Sequence, residues 1–205
     1  MTQQSSQPPQ VALTLALALD SAPKAVSPTV ACIPWSQALE TALRRQVVEE
    51  AMSWLRTPYM QQQDKKGGGV DCSMLLVRCW VDTGILQPFD PRPYSPNWHM
   101  HKEEEKYLAW MDTLAVPIKR EELDIADVLL FKVGKCFAHA GIVTELSPDG
   151  RIKIVHAHAD LKSVQRSWSD LPLLKYFGRN KADAGVLRPV VYYSVFKKIR
   201  QELSQ

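Results

Sequence analysis

The 205-residue sequence has only four cysteines, and their positions do not form a disulfide framework. Cys72 and Cys79 would lie about 10 Å apart along a predicted helix, which is too far for an S–S bond. Cys32 has no evident partner, and Cys136 lies in a predicted strand. Free thiols are typical of proteins made in a reducing compartment, and we expect that origin here.

Long apolar runs are also missing. The mostly apolar stretch from Val11 to Leu19 has nine residues, whereas about 20 are needed to span a bilayer. A signal peptide carries basic residues before its apolar run, but the first basic residue here, Lys24, comes after it. We therefore expect neither a membrane span nor a signal peptide.

The sequence also lacks a strong charge of one sign. Its net charge is +3, and basic residues cluster only at Lys197, Lys198 and Arg200, which argues against a nucleic-acid partner. His99 and His101 have the spacing of strand ligands, but no cysteine or further histidine is nearby, so no metal is expected. No glycine-rich phosphate loop or internal repeat is present, and we expect no cofactor.

The sequence divides into two parts. Residues 1–35 hold four prolines between Pro8 and Pro28 and the alternating Val11 to Leu19 stretch. We interpret this part as a strand or docking arm. Residues 36–205 form the second part, a single domain, and Ser36 is a residue type that caps helices. The helix predicted after Ser36 ends before Thr57-Pro58. Its apolar face consists of Leu39, Leu43, Val47, Ala51, Trp54 and Leu55.

A second predicted helix begins with a cysteine. Asp71 is a good N-cap, so Cys72 falls in the first turn, and Gly84 ends the helix. Unpaired N–H groups and the helix dipole at that end favour a thiolate, so the pKa of Cys72 is expected below about 8.5. The same N–H groups could line an oxyanion hole. The alternative is that Cys72 is only a small core residue; the glycines at 67–69 favour the functional interpretation.

Three histidines lie on two predicted strands. Residues 138–146 and 151–159 form β-type runs joined by the turn sequence at 147–150. A hairpin with an even-length loop places His139 and His156 on one face, at most a diagonal step apart, and His158 shares that face. Cys136 is three residues from His139, so its side chain is expected on the other face.

The ordered motifs resemble the NlpC-type family of papain-like cell-wall cysteine peptidases. The resemblance covers about residues 44 to 160. The matched segments are Pro58-Tyr59, Gly67 to Gly69, Asp71-Cys72-Ser73, Ala126 to Phe131, His139 to Val143 and Val155-His156-Ala157.

The resemblance implies a role for each matched side chain. Cys72 would be the nucleophile, His139 the general base, and His156 the residue that orients His139. Tyr59, Asp71 and Ser73, together with the neighbouring His158 and Trp98, would bind substrate or the oxyanion. Three departures put the shape of the cleft in question: Met74 and Ala126 replace glycines, and residues 61–63 are glutamines where Gly-Gly often follows the tyrosine.

A proline-rich stretch followed by a charged helix, residues 91–108, resembles an insert in peptidases encoded among phage tail and gene-transfer-agent genes. We interpret it as a cleft wall or lid, or alternatively as packing only. The subgroup implies tail proteins as partners. It also implies synthesis in the host cytoplasm, a place in the virion tail or a tail-like particle, and action in the host cell wall or periplasm.

Together these patterns predict an α+β fold, papain-like, with the Cys72 helix packed on a mainly antiparallel sheet. A strand over 185–193 and a basic helical tail complete the prediction. The implied activity is hydrolysis of peptidoglycan stem peptides between γ-D-glutamate and diaminopimelate or lysine, through a cysteine thioester. Two alternatives remain open: a structural tail component with a vestigial site, and an acyltransferase or amidase on the same fold.

Overall fold

The computed structural model describes residues 34–94, 105–133, 135–170, 175–176, 186–187 and 189–204. Within these ranges the helices are α1 (Gln37–Ser53), α2 (Cys72–Asp82), α3 (Lys106–Leu114) and α4 (Val195–Leu203). A short 3-10 helix covers Arg120–Glu122. In this part of the chain, no helix is both long and apolar enough to cross a bilayer.

Six strands form the main sheet, in the order β3-β10-β4-β5-β6-β7, and every neighbouring pair is antiparallel. Two further sheets have two strands each, β1-β2 and β8-β9. The strand bounds are Asp64–Lys65 (β1), Gly69–Val70 (β2), Val116–Ile118 (β3), Val128–Val133 (β4), Cys136–Leu146 (β5), Ile152–His158 (β6), Ser163–Trp168 (β7), Lys175–Tyr176 (β8), Val186–Leu187 (β9) and Val190–Ser194 (β10).

The helices pack on one face of the main sheet. Ala140, Ile142, Val155 and Ala157 of β5 and β6 belong to the same buried cluster as the apolar side chains of α1 and α2. The alternate residues form a second, smaller cluster on the other face, including Phe131, Val143 and Ile154. This two-sided burial follows from the period of two along a strand. The α+β class, with the Cys72 helix packed on an antiparallel sheet, is confirmed.

Helix α1 begins where the sequence predicted. The hydroxyl of Ser36 accepts a hydrogen bond from the N–H of Leu39 at 3.2 Å. The strand predicted over residues 185–193 is divided into two. Val186–Leu187 pairs with β8, whereas Val190–Ser194 lies in the main sheet between β3 and β4. Pro189 stands between the two pieces, and a proline cannot donate to a ladder. The arm expected over residues 1–35 falls almost entirely outside the described residues and stays a prediction.

Two of the residues that stand where the resembled family has glycine adopt a left-handed backbone conformation. Ala126 has φ +68° and Gln62 has φ +58°, a region that glycine enters without the steric cost that a Cβ adds. Ala126 keeps its place because its N–H bonds the carbonyl of Val143 at 2.8 Å. The tight turns are therefore present even where the sequence lacks the residue that favours them.

A buried guanidinium joins the helices to the sheet. Arg44 of α1 donates to Glu40 at 2.9 Å, to Asp127 at 2.9 Å and to the carbonyl of Ile125 at 2.8 Å. Glu40 also accepts from Arg200 of α4 at 3.1 Å. Glu40, Arg44 and Asp127 are all buried, so each charge depends on its partners for the solvation that water would otherwise supply.

We expect Arg44→Ala to lower the free energy of unfolding by about 3–5 kcal/mol, because it leaves the buried carboxylate of Asp127 without its cation and that of Glu40 with Arg200 alone. The measurement is urea unfolding followed by circular dichroism. Arg45→Ala is the matched control, since Arg45 is the exposed neighbour on the same helix. Equal loss of stability in both variants would contradict the role of the buried network.

Candidate active site

The Asp71 carboxylate fixes the start of α2. Its Oδ1 accepts from the N–H of Met74 at 2.9 Å, which is the bond of a helix N-cap. Cys72 is therefore the first helical residue, as the sequence predicted. Because the cap uses the N–H of Met74, the N–H groups of Cys72 and Ser73 are the first-turn donors that this cap does not engage.

The Cys72 sulfur lies against β5. Its thiol donates to the carbonyl oxygen of Ala138 at an S···O distance of 3.8 Å, and the backbone of Ala140 also hydrogen-bonds the sulfur. These residues flank His139. The sulfur is therefore held beside the strand position that carries the expected base.

Irregular strand pairing leaves the part of β5 around His139 accessible to the Cys72 sulfur. The β4–β5 register runs Phe131↔His139 and then Lys132↔Phe137, so Ala138 is an extra, bulged residue. The β5–β6 pairing reaches only Ile142↔Val155 at this end. The sulfur thus contacts strand groups beyond the end of the β5–β6 ladder, where a neighbouring strand would otherwise bond them.

The bulge corrects the expectation for Cys136. Cys136 pairs with Val133 and His139 pairs with Phe131, two residues apart on β4. The register therefore places Cys136 on the same face as His139 rather than on the opposite one. Cys136 is fully buried, which limits its contact with any substrate.

The three histidines lie together. His139 Nε2 is 2.9 Å from His156 Nδ1, and both rings are buried. The His158 ring is 4.8 Å from the His139 ring, centroid to centroid, and its Nδ1 accepts from the N–H of Asp160 at 3.1 Å. Extending the Ile142↔Val155 register places His158 opposite His139 and His156 one diagonal step away. The diagonal neighbour, His156, makes the 2.9 Å N···N contact, although the ring centroid of His158 lies slightly closer to that of His139, at 4.8 Å against 5.1 Å.

His156 is held neutral. Burial, and to a smaller extent the nearby His158, lower its pKa to about 3. Its Nε2 is buried without a hydrogen-bond partner among the described residues. A neutral imidazole has one donor and one acceptor nitrogen. His156 can therefore fix the tautomer of His139 through Nδ1 without adding a charge of its own.

The expected low pKa of Cys72 is wrong for this structure. Burial, and to a smaller extent the Asp71 carboxylate, raise the pKa of the thiol to about 12. Hydrogen bonds from the backbone of Ala140, from Ser73 and from the backbone of Cys72 act in the opposite direction but do not offset these effects. The helix start favours a thiolate, but removal of water from the sulfur outweighs that gain.

Tyrosines surround the thiol. Burial raises the pKa of Tyr59, Tyr94 and Tyr107, and a charge on Cys72 contributes to the rise in each. Tyr59, expected near the acyl site, is thus brought to Cys72, and its hydroxyl donates to Gln61 at 3.0 Å. Ser73 acts against these rises and lowers the pKa of Cys72, Tyr94 and Tyr107.

Tyr94 and Tyr107 were missed in the sequence, although both lie in the insert at 91–108 that was recognised as unusual. Trp98, also expected to bind substrate, lies outside the described residues, as do His99 and His101. In the described ranges, no group of three or more His, Cys, Asp and Glu side chains is arranged to hold a metal ion.

Comparison with known proteins finds no matching family model and no matching curated protein. Among solved structures, the chain is similar to the NlpC/p60 domain of the peptidoglycan hydrolase SagA, with 16% identity and a TM-score of 0.43. That alignment covers 60% of this chain and 87% of the other.

Two further solved structures show similarity at the same level. The peptidoglycan hydrolase RipB from Mycobacterium tuberculosis has 16% identity and a TM-score of 0.47, over 83% of this chain and 73% of its own. An N-acetylmuramoyl-L-alanine amidase from Bacteroides uniformis has 13% identity and a TM-score of 0.37, over 74% and 98%. Such low values do not identify the reaction, which has to be inferred from the side chains of the site.

The raised pKa predicts how Cys72 reacts with iodoacetamide. The thiolate is the reactive form, so the alkylation rate should rise about tenfold per pH unit between about pH 6 and pH 9 without levelling off. Mass spectrometry of peptides at each pH measures the rate. Cys79, which is fully buried two turns further along α2, should react much more slowly and is the internal control. A plateau near neutral pH would show a preformed thiolate and contradict this assignment.

Proposed function

We propose that the protein is a cysteine endopeptidase of the NlpC type, with a papain-like arrangement, that hydrolyses peptidoglycan stem peptides. The observation that carries the proposal is the position of the Cys72 sulfur against the β5 backbone at Ala138 and Ala140, on either side of His139. Nε2 of His139 is in turn 2.9 Å from Nδ1 of His156. A nucleophile, a base and a group that orients the base are the parts that acyl transfer through a thioester requires.

The proposed reaction begins with a neutral thiol. As the Cys72 sulfur attacks the scissile carbonyl carbon, its proton passes to His139. Because Nε2 of His139 is occupied by His156, the proton would be accepted at Nδ1. The resulting imidazolium donates that proton to the leaving amine when the C–N bond breaks, and a thioester remains. Water, deprotonated by His139, then releases the acid and restores the thiol.

The residues around Cys72 and His139 suit the charges that form during the proposed reaction. His156 stays neutral at physiological pH because its pKa lies near 3, so it does not repel the imidazolium formed on His139. The N–H groups of Cys72 and Ser73, which the Asp71 cap does not use, are suitable donors to the oxyanion. Tyr59 and His158 border the sulfur and the base, and both are proposed to contact substrate.

The proposed bond is the one between γ-D-glutamate and diaminopimelate or lysine, and the proposed setting is a phage tail or tail-like particle acting on the host cell wall. Both come from the sequence resemblance. Residues 1–35 would be the arm that docks on tail proteins. Binding of purified tail proteins by the full chain, but not by a chain that begins at Ser36, would support that setting.

Incubation with purified peptidoglycan tests the activity. We expect the wild-type chain to release soluble stem-peptide fragments whose masses report the bond cut, whereas Cys72→Ala should release none. Cys79→Ala is the matched control and should stay active, since Cys79 lies away from the base. Activity in Cys72→Ala would end the thiol mechanism. Release of the intact stem peptide would indicate an amidase, and transfer of the peptide to an added amine would indicate an acyltransferase. If the wild-type chain gives no reaction, the protein is a structural component.

The two downstream histidines should differ in their effect on turnover. His156→Ala should lower kcat by about a hundredfold or more with little change in KM, because His139 loses the partner that orients it. His156→Gln should retain more activity, since an amide can still hydrogen-bond His139. His158→Ala should be mild or act mainly on KM. Steady-state kinetics on a stem peptide measure all three variants, and a larger kcat loss in His158→Ala would show that the orienting role belongs to His158.

A further inference from the structure

The first residues of the insert contact the loop that precedes Cys72. Arg92 donates to the carbonyl of Gln62 at 2.8 Å and pairs with Asp64 at 3.3 Å and with Asp90 at 2.7 Å. The Gln62 side chain donates in return to the carbonyl of Tyr94 at 2.7 Å. These contacts fix the main chain of Tyr94 relative to the loop.

The Tyr94 side chain reaches the cap of α2. Its hydroxyl oxygen lies 2.9 Å and 2.8 Å from the two carboxylate oxygens of Asp71. Asp71 also accepts from the N–H of Gln62 at 2.7 Å and from that of Met74 at 2.9 Å. Asp71 is buried, and in the described ranges no cation pairs with it. Neutral donors alone hold this charge.

The position of that charge bears on the thiol. Asp71 directly precedes Cys72, and its carboxylate raises the pKa of the thiol. The other titratable groups near the sulfur are Tyr59, Tyr94, Tyr107 and the imidazole of His139. Burial and the charge of Asp71 raise the pKa of Tyr94, so its hydroxyl keeps its proton and remains a donor to Asp71.

We propose that Tyr94 is a positioning residue that acts through Asp71: its hydroxyl holds the carboxylate in place as the cap of α2 and draws negative charge away from the Cys72 sulfur. A hydrogen bond to a carboxylate is charge-assisted and strong, and the partly positive hydrogen of the Tyr94 hydroxyl offsets part of the negative charge of Asp71. The proposal extends the proposed function, because it treats Cys72 as the nucleophile, but its test requires no hydrolysis.

The test is a double-mutant cycle read by alkylation of Cys72 with iodoacetamide at pH 8. Tyr94→Phe keeps the ring, and with it the exclusion of water, and removes only the hydroxyl. We expect alkylation to slow by between about three- and tenfold, which corresponds to roughly half to one unit in the pKa of the thiol. Asp71→Asn keeps a side chain that caps helices and removes the charge, so alkylation should become faster.

The decisive comparison is Tyr94→Phe in the Asp71→Asn background. If Tyr94 acts through the charge of Asp71, loss of its hydroxyl should now change the rate by less than about twofold, because the two effects are coupled. A role in packing alone would give the same slowing in both backgrounds and would overturn the proposal. So would an unchanged rate in Tyr94→Phe alone.

Tyr193→Phe is the matched control. The Tyr193 hydroxyl also donates to a carboxylate, that of Asp112 at 2.7 Å, but Tyr193 lies on β10, away from Cys72. The alkylation rate of Cys72 in this variant should therefore equal that in the wild type. If Asp71→Asn does not fold, Gln62→Ala supplies the second variant: it removes the bond to the Tyr94 carbonyl and should slow alkylation in the same direction as Tyr94→Phe. An unchanged rate in Gln62→Ala would then count against the proposal. Slowed alkylation in Tyr94→Phe would stand even if the wild-type protein left peptidoglycan uncut.

Discussion

The guanidinium of Arg44 is the contact on which the arrangement of the layers depends. It joins α1 to the start of β4 through Asp127 and, through Glu40, links both to α4. A buried ion pair adds little net stability compared with apolar packing, but losing one partner is costly. The network therefore allows only those placements of helix and sheet in which all its charges meet. Strand β4, set in this way, pairs with β5 and so places His139.

The sequence predicted the elements that local chemistry decides. Ser36 and Asp71 cap the helices expected after them, and the alternating strands carry the histidines on one face. Glu40 and Arg44 could not be assigned to the core from the pattern, because their burial depends on Asp127, more than 80 residues away. The bulge at Ala138 was also missed, since a bulge arises from how two strands fit rather than from either strand alone. The same applies to Tyr94, whose partner Asp71 lies 23 residues away.

The pKa of Cys72 could not be predicted from its position in the helix alone. A thiol in the first turn of a helix is favoured as an anion by the dipole and the first N–H groups. Those effects are present, but the tertiary structure buries the sulfur under β5 and sets a carboxylate beside it, and both raise the pKa. Desolvation depends on the whole fold and exceeds what one helix end supplies. In the proposed mechanism, a protonated resting thiol means that His139 must take the proton during the attack, so more of the chemistry depends on His139.

Two buried carboxylates, Asp127 and Asp71, are stabilised in different ways. The difference matches their positions relative to the Cys72 thiol. Asp127 meets a cation, Arg44, at 2.9 Å, which fits a group that joins elements far from the thiol. A cation at Asp71 would lie next to Cys72 and could compete for the electrons that the nucleophile must supply. Instead, two backbone N–H groups and the Tyr94 hydroxyl hold Asp71. Neutral donors stabilise the cap and moderate its charge without placing a full positive charge beside the sulfur. In the proposed mechanism this arrangement keeps the start of α2 fixed and leaves the proton of Cys72 to the pair formed by His139 and His156.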